Sequence, residues 1–573
     1  MLIKVYNITR IFNYPIALLS ILMGMCGSAQ AEQKTPKLVL QITVDQLRAD
    51  LPYRYQDRFV KNGFNYLFDN GVVYKDAHHP HANTETIVGH VTLATGATPA
   101  THGLIANMWF DRNAQRQVYN IEDDNYVLLS KGAAVDKDTE IDPTQKAANV
   151  EGRSPANIIG STFADELSIS TNGRAKVFSV SVKDRGAVSL AGHSGKAFWF
   201  SKQAGEFVTS NYYYQAYPSW VEDWNNKSYI KQFAGTQWQL LNKKDTYLFG
   251  NDDDKAWEMD MAGYGRTFPH AFGSESSKYF TTLLTVSPVG DEMTVDFAKA
   301  LVKAESIGDD DITDYLAISL SATDYIGHFF GASSLESEDN ILRLDRTLAD
   351  LFEFIDEHVG LTNTVIVLSA DHGGPEVPGY LNEKNIYGEY VPRTDWEQSD
   401  EVKAVKKLLR INERLVEAFS PPYIYLDMDT IAKTDFPPAM VQDLLVAELN
   451  KREEIFTAIA SHKLESGNFP DTPIYQAVFN NHSQGRSGDI YLVFNPHDFI
   501  NDLEGLTVTA THGSPWNYDT HVPIIFVGKD IAARNVSRRV ETIDLAPTLS
   551  ALLNIKAPSA SEGKVLVEVV QSK

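Results

Sequence analysis

Cysteine is almost absent: Cys26 is the single one in 573 residues. It lies in a leader-like stretch, so the chain beyond that stretch has no disulfide and no thiolate chemistry. Any metal must then be held by His, Asp, Glu or hydroxyl oxygen. Positive charge is scarce as well, with 51 Lys and Arg against 75 Asp and Glu and a formal net charge of -24. So acidic a chain offers no broad surface to nucleic-acid phosphates, although a local basic pocket for a small anion is compatible with it. Long apolar runs are missing too. The stretch from about Pro15 to Met25 falls well short of the ~20 residues needed to span a bilayer. Lys4 and Arg10 precede it and Ala29-Gln30-Ala31 follows it. Charge, apolar core and small residues in that order predict a secretory signal peptide over 1–31. A short membrane anchor is disfavoured by the run's length, and a lipid on Cys26 by Met25, which stands where such motifs need a small residue. The expectation is a periplasmic or secreted protein with no stable membrane anchor.

The rest is globular in composition, 43% hydrophobic and 22% charged, which excludes general disorder and supplies a sizeable core. At ~150 residues per domain the length suggests about four domains, but one large α/β sheet with insertions absorbs the same length. The run Leu38-Val39-Leu40-Gln41-Ile42-Thr43-Val44 ends on Asp45, as a buried parallel strand would. Similar units run from Lys176 to Val182, Tyr315 to Leu320 and Thr364 to Leu368, each ending on polar residues. Ile341, Leu344, Leu348, Leu351 and Ile355 mark one helix face, stopped by Gly360. Strands alternating with helices predict an α/β fold with a doubly wound, mostly parallel central sheet. Ligands in such sheets bind beyond the carboxyl ends of the strands.

Residues 32–573 thus read as a single domain with capping insertions at about 196–283 and 376–505. The first is dense in aromatics and Asn; the second carries Pro-rich turns and amphipathic helices near Glu401–Phe419 and Ala439–Lys451. The charge run in Glu401–Arg414 reads as a solvated helix face. No internal repeat is present.

The polar residues at the predicted strand ends form a set. Asp324 and His328, four apart, share a face if a helix starts where the strand ends. Asp371-His372 is followed by Gly373-Gly374, which allow a sharp turn. His512 sits in Thr511-His512-Gly513-Ser514, and Asp45 ends the first strand. Singly, a strand-end Asp is more often a helix cap and a His more often a hydrogen-bonded loop residue. Jointly, three His and three Asp supply ligands for two ions of zinc type, and two zincs about 4 Å apart clamp the attacking and leaving oxygens of phosphoryl transfer. Asn83-Thr84-Glu85-Thr86-Ile87-Val88-Gly89-His90 precedes Val91-Thr92-Leu93-Ala94-Thr95-Gly96; a hydroxyl at the start of this helical stretch would meet the positive end of the helix dipole, and a metal could deprotonate Thr86 there. That Thr84 or Thr86 merely caps the helix is an equal alternative on spacing alone. Lys183 and Arg185, two apart on an extended segment, would face the same way and suit a phosphate dianion, Arg by bidentate contacts and Lys as a point charge.

Asp45, Thr84-Glu85-Thr86-Ile87-Val88-Gly89-His90, Asn107-Met108-Trp109-Phe110-Asp111, Lys183-Asp184-Arg185-Gly186-Ala187, Asp324 with His328, Asp371-His372-Gly373-Gly374 and His512-Gly513-Ser514 occur in that order. This set resembles the alkaline phosphatase superfamily, and within it the threonine-nucleophile, phosphate-irrepressible alkaline phosphatases exported by bacteria. The resemblance extends through Thr520-His521-Val522-Pro523 and Asp544-Leu545-Ala546-Pro547-Thr548-Leu549. It implies two zinc ions per chain, one held by Asp324, His328 and His512, the other by Asp45, Asp371, His372 and the Thr86 oxygen. It further implies that Thr86 attacks phosphorus to give a phosphothreonine that water then hydrolyses, with Asn107 donating to a phosphate oxygen. The implied activity is a broad phosphate monoesterase inhibited by its phosphate product, with small phosphomonoesters and inorganic phosphate as ligands and no obligate protein partner.

Other readings differ at named residues. A phosphodiesterase or nucleotide pyrophosphatase would share the metals and Thr86 but lack the Lys183/Arg185 pair. A sulfatase would need a Cys or Ser in a Cys/Ser-x-Pro-x-Arg context, and Thr84 to His90 has neither Cys nor Pro. A cofactor-independent phosphoglycerate mutase would use Ser and reside in the cytosol. A binding protein would use the aromatic insertion as a platform. Arg185 as a partner of Asp184, and Asn107 as a turn residue, are the structural alternatives. His78, His79 and His81 have metal-like spacing but read as loop. His90 and His521 are candidates to orient ligands, His521 being also the rival of His512. A magnesium site is not expected, since Lys183 and Arg185 take that charge role.

Overall fold

The computed structural model describes residues 35–571 apart from 262, 504 and 505; the signal peptide expected over 1–31 lies outside them. Nine strands form the central sheet: β1 Leu38–Val44, β2 Gly71–Tyr74, β3 Val177–Ser181, β4 Lys196–Ser201, β5 Glu206–Val208, β6 Asp314–Leu320, β7 Thr364–Ser369, β8 Ile524–Val527 and β9 Arg534–Val536. Their spatial order is β9-β2-β8-β7-β1-β6-β3-β4-β5. The central run β7-β1-β6-β3-β4 is parallel throughout, and β8 and β5 pair antiparallel with their neighbours. The fold is the expected mostly parallel α/β sheet.

Six helices position the features of interest: α1 Thr86–Thr95, α2 Asp184–Ala191, α3 Val289–Glu305, α4 Ala322–Phe330, α5 Leu335–His358 and α6 Leu545–Leu552. Both faces of the sheet are covered. Leu38, Leu40, Ile42 and Val44 of β1 join a core with Phe297 and Leu301 of α3 and Leu344 and Leu348 of α5. Val39, on the opposite face, joins Leu93 of α1, Leu190 of α2 and Leu549 of α6. That two-sided burial is why β1 reads as an apolar run rather than an alternation. In α5 all five residues of the predicted face are buried, Ser334 Oγ accepts the Ser337 N–H at 3.1 Å, and Gly360 takes a φ of 89° just past the end.

Two expectations change, and the alternative of an aromatic binding platform loses support. The stretch from 196 begins with the last two strands at one side of the central sheet, β4 and β5, so the added layer starts after Val208. Its aromatics are packed inward rather than displayed: Trp220, Trp224 and Trp238 donate Nε1–H to Glu305, Asp296 and Asp339 at 2.7, 2.8 and 2.7 Å, tying the layer to α3 and α5. The helix expected near Glu401–Phe419 covers Asp400–Leu409 only. Val416–Ser420 is claimed instead by antiparallel pairing with Tyr423–Leu426, a tertiary demand that helical spacing does not reveal. The neighbouring helix, Pro438–Leu449, stands where expected.

The segment after 376 builds a four-stranded antiparallel sheet in the order Val416–Ser420, Tyr423–Leu426, Ile490–Phe494, Ile455–Ala460. One face carries its own core, with Ile424 and Leu492 against Val402 and Leu445. The other face brings Tyr423, Tyr425, Tyr491 and Val493 into the core around Ile87 and Val91 of α1. The cap therefore shares a core with the helix that begins at Thr86.

Candidate active site

Four neighbouring parallel strands deliver the site. Asp371-His372 follows β7, Asp45 follows β1, Asp324 lies in the first turn of α4 after β6, and Lys183 follows β3. Strands ~4.8 Å apart bring residues at successive carboxyl ends together without help from any loop. Thr86 arrives on the N-terminus of α1, held close by Gly89, where a Cβ would meet the Asp371 carbonyl oxygen at 1.8 Å. His512 comes from the segment that returns from the cap. Gly373 and Gly374 take no positive φ, so they do not serve the sharp turn expected of them. Gly373 is required by close approach instead, since its Cβ would lie 2.1 Å from the Tyr518 carbonyl oxygen.

The ligand atoms of Asp45, Asp371 and His372 lie within 4.8 Å of one another, as do those of Asp324, His372 and His512. His372 thus belongs to both groups, and its ring stacks on His512 at 3.6 Å. His328 Nε2 stands 3.3 Å from Asp324 Oδ1, as does His512 Nε2. In each of the three imidazoles Nδ1 donates to a backbone carbonyl: His328 to Ala510 at 2.7 Å, His512 to Thr84 at 2.8 Å and His372 to Gly373 at 2.8 Å. A ring fixed in this way turns its Nε2 toward the carboxylates.

Zinc-type ions fit this donor set on one further observation. His372 Nε2 and Asp45 Oδ1 are buried, have no well-aligned hydrogen-bond partner among the described residues and stand 3.4 Å apart. Buried unsatisfied polar atoms cost about 1–3 kcal/mol each, more when charged, and a cation between such atoms removes that cost. Burial pulls the His372 imidazole down, but Asp371 and Asp45 outweigh it and hold it up at about 9. In His512 burial prevails and takes the imidazole down to about 3, with His372 adding to the shift.

Thr86 is the first residue of α1 and is buried. Arg185 Nη2 donates to Thr86 Oγ1 at 3.3 Å, while Arg185 Nη1 is fastened to Asp142 at 2.6 Å. Asn107 Oδ1 accepts the Ile87 N–H at 3.1 Å, and its own N–H donates to Glu85 Oε2. Lys183 and Arg185 are not on one extended segment. Lys183 is the extended residue before α2, and Arg185 is already in that helix, and the two side chains reach different partners. The Lys183 ammonium, fully buried, lies 2.7 Å from Asp45 Oδ2 and also pairs with Asp324, one carboxylate from each group. Burial opposes its charge, but those two carboxylates hold its pKa above the ordinary lysine value. Arg185 does not pair with Asp184 either, whose carboxylate accepts from Arg153 at 2.7 Å and from Tyr119 at 2.6 Å.

The remaining histidines sort by their partners. His90 Nδ1 donates to the Thr86 carbonyl at 2.8 Å, stands 3.0 Å from Asp371 Oδ2 and so touches the centre. His521 Nε2 meets the Lys75 carbonyl at 2.9 Å and lies in a different cluster, with Asp76 and His78. There both ring nitrogens of His78 are taken, by Asp76 and Thr520, and the His78 and His521 rings lie face to face at 4.7 Å. With those ring nitrogens already engaged, that trio reads as a hydrogen-bonded stack. His79 bridges the Ala370 carbonyl and Thr542.

Sequence spacing missed Asp142, Arg153 and Glu85. Asp142 and Arg153 stand in no motif, and only the need of a buried guanidinium or carboxylate for a partner points to them. Burial raises the Glu85 carboxyl to about 7, against the Asn107 N–H that favours its charge. Above Thr86 opens a cleft whose walls include Tyr325 and Phe329 of α4, Met108, and Tyr491, Phe494 and Phe499 from the cap side.

A family model described as type I phosphodiesterase / nucleotide pyrophosphatase matches residues 39–515. The chain is 32% identical to alkaline phosphatase PhoV of Synechococcus elongatus, an alignment covering 96% of this chain and 99% of that one. It is 32% identical to alkaline phosphatase PafA of Elizabethkingia meningoseptica, covering 96% and 97% respectively. The crystal structure of wild-type PafA superposes with a TM-score of 0.83 at 31% identity, over 94% of this chain and 99% of that one.

Proposed function

The chain belongs to the type I phosphodiesterase / nucleotide pyrophosphatase family of the alkaline phosphatase superfamily, and from that premise we propose that it is an exported, zinc-dependent alkaline phosphatase acting through a phosphothreonine at Thr86. One observation carries the reading. The Thr86 hydroxyl, at the amino end of α1, lies 3.3 Å from an Arg185 guanidinium anchored by Asp142, beside two groups of convergent carboxylate and imidazole ligands. Export rests on the leader-like stretch 1–31; among the described residues no helix is long and apolar enough to cross a membrane.

Asp324, His328 and His512 would hold one zinc, and Asp45, Asp371, His372 and Thr86 the other. Bound there, the pair supplies Lewis-acid stabilisation of the attacking and leaving oxygens. The chain's own residues do the rest. The α1 amino terminus directs its positive end at the phosphoryl group. Arg185 holds two non-bridging oxygens in its planar fork, and Asp142 keeps that fork from rotating away. Asn107, its Oδ1 spent on Ile87, has an amide donor left for a third oxygen. Thr86 Oγ bonds to phosphorus as the leaving alcohol departs; water then attacks the same phosphorus, Thr86 Oγ leaves and inorganic phosphate is released. Lys183 offsets the charge of Asp45 and Asp324, which lets a dianion enter a site already rich in carboxylates.

A diester brings one charge fewer and a second substituent, so Arg185 and Lys183 favour the monoester. The test is kcat/KM for an aryl phosphate and the matching diester, with and without a chelator. A chelator-sensitive preference for the monoester of at least about a hundredfold is expected, equivalent to roughly 2.7 kcal/mol. Preference for the diester would replace the monoesterase reading by the phosphodiesterase one. Turnover of neither would remove the enzymatic reading.

A further inference from the structure

We propose that Asp519 is a positioning residue that clamps together the two loops carrying His372 and His512 and so fixes the geometry in which the metals bind. The inference rests on the two-metal reading above and concerns a residue that touches neither substrate nor metal in that reading.

Asp519 is buried, in the short helix Asn517–Thr520. Its backbone carbonyl accepts the Gly373 N–H at 2.7 Å, which ties down the residue directly after His372. Its carboxylate Oδ2 accepts three donors from the residues directly after His512: Gly513 N–H at 3.2 Å, Ser514 N–H at 2.9 Å and Ser514 Oγ–H at 2.5 Å. One residue therefore holds both ends of the pair of imidazoles that stack at 3.6 Å. The loops come from distant parts of the chain and approach closely: a Cβ on Gly373 would strike the Tyr518 carbonyl oxygen. The clamp continues into a third ligand-bearing segment, where the His521 carbonyl accepts the N–H of Ala49, shortly after Asp45. A carboxylate that accepts several hydrogen bonds from one loop fixes that loop's conformation as much as its position, and ligands held by such outer contacts bind metal more tightly than free ones.

Asparagine at this position keeps the shape and one acceptor oxygen, whereas alanine removes all three side-chain bonds. Zinc-loaded wild type, Asp519→Asn, Asp519→Ala and Ser514→Ala are compared by chelator-driven zinc release, at a temperature where circular dichroism shows each to be folded. Release at least about tenfold faster is expected for Asp519→Ala, in keeping with the 10–100-fold loss usual for groups behind metal ligands. Roughly threefold is expected for Ser514→Ala, which removes one of the three donors, and release within about twofold of wild type for Asp519→Asn. The stabilisation gained on adding zinc, read as the rise in Tm over the zinc-free protein, should shrink in Asp519→Ala; a merely structural residue would lower both Tm values together. Wild-type release from folded Asp519→Ala overturns the clamp. So does Asp519→Asn releasing as fast as Asp519→Ala, because charge rather than the shared hydrogen bonds would then hold the site. If Asp519→Ala does not fold, unchanged release from Ser514→Ala overturns it instead. No substrate enters this measurement, so loss of the monoesterase reading leaves the clamp intact. A wild-type chain that took up no zinc would sink the two-metal reading and the clamp together.

Discussion

Two buried histidine–carboxylate centres lie on opposite sides of α4, and they are built to opposite rules. On one side His372, His328 and His512 each spend Nδ1 on a backbone carbonyl and turn Nε2 toward Asp45, Asp371 and Asp324. Acceptors outnumber donors there, and atoms are left over. On the other side Phe330, at the end of α4, packs against His270, whose ring also meets Trp238, Tyr264 and Phe268. His270 Nδ1 contacts the Tyr264 carbonyl at 3.1 Å and Nε2 contacts Glu336 Oε1 at 3.0 Å. Both nitrogens are satisfied and the ring is caged. Burial and residue type are therefore shared by a centre proposed to hold ions and one that holds a layer of structure. Glu336 Oε2 also has no hydrogen-bond partner among the described residues, so what distinguishes the first centre is that several such atoms, from Asp45, Asp371 and His372, converge there.

Replacing the equivalent histidine in each centre gives the largest contrast. His372→Ala should lower kcat/KM for a monoester at least about a thousandfold, since metal ions supply several kcal/mol of transition-state stabilisation, and should reduce bound zinc below two per chain. His270→Ala should leave zinc content and kcat within about twofold of wild type. It leaves the buried Glu336 carboxylate without its partner, so it should lower unfolding stability by about 3 kcal/mol in urea titration. Loss of zinc from His270→Ala with the fold intact would erase the distinction.

Within the first centre, Arg185 and Lys183 divide the positive charge, and the comparison sharpens there. Arg185→Ala removes charge-assisted bonds worth about 1.5–3 kcal/mol, so kcat/KM for the monoester should fall roughly 10–150-fold. The diester, with one charge fewer, should lose less, and zinc content should hold because Arg185 contacts Thr86 and Asp142 rather than the carboxylate ligands. Equal losses on both esters would mean that Arg185 does not read the second charge.

The convergence of the strand-end residues proposed as ligands was legible because each is locally placed. Asp45, Asp371 and His372 each follow an apolar run, and Asp324 and His328 share one turn of helix. Parallel adjacency of β7, β1, β6 and β3 then assembles them with no further information. Lys183 and Arg185 were misplaced because an i, i+2 spacing reads as extended when the start of a helix falls between the two residues. Asp142, Asp519 and Arg153 were illegible for another reason. Asp142 sits 43 residues from Arg185 and Arg153 sits 31 from Asp184, and Asp519 joins loops that no periodicity relates. The aromatic segment announced itself by composition alone. Its carboxylate partners on α3 and α5 are what turn a conspicuous stretch into a packed layer.

A third histidine–carboxylate pair sets the lower end of the scale. His193 Nδ1 lies 2.9 Å from Asp165 Oδ2, with about a third of the His193 side chain exposed. The hydrogen bond to Asp165 raises the His193 pKa above 6.5, with burial opposing it. A histidine raised in the folded state contributes stability that is whole below pH ~6.5 and fades as pH climbs through the folded value. Solvent screening keeps such a pair below about 1 kcal/mol. Asp165 keeps its backbone donors, the N–H groups of His193, Ser194 and Thr162 at 2.8 Å each, so the site survives loss of the ring. His193→Gln should therefore lower the urea midpoint slightly at pH 5.5 and leave it unchanged at pH 9, with zinc content and kcat untouched at both. A deficit of the same size at both pH values would assign the loss to packing, and the pair would then differ from the two buried centres in kind as well as in degree.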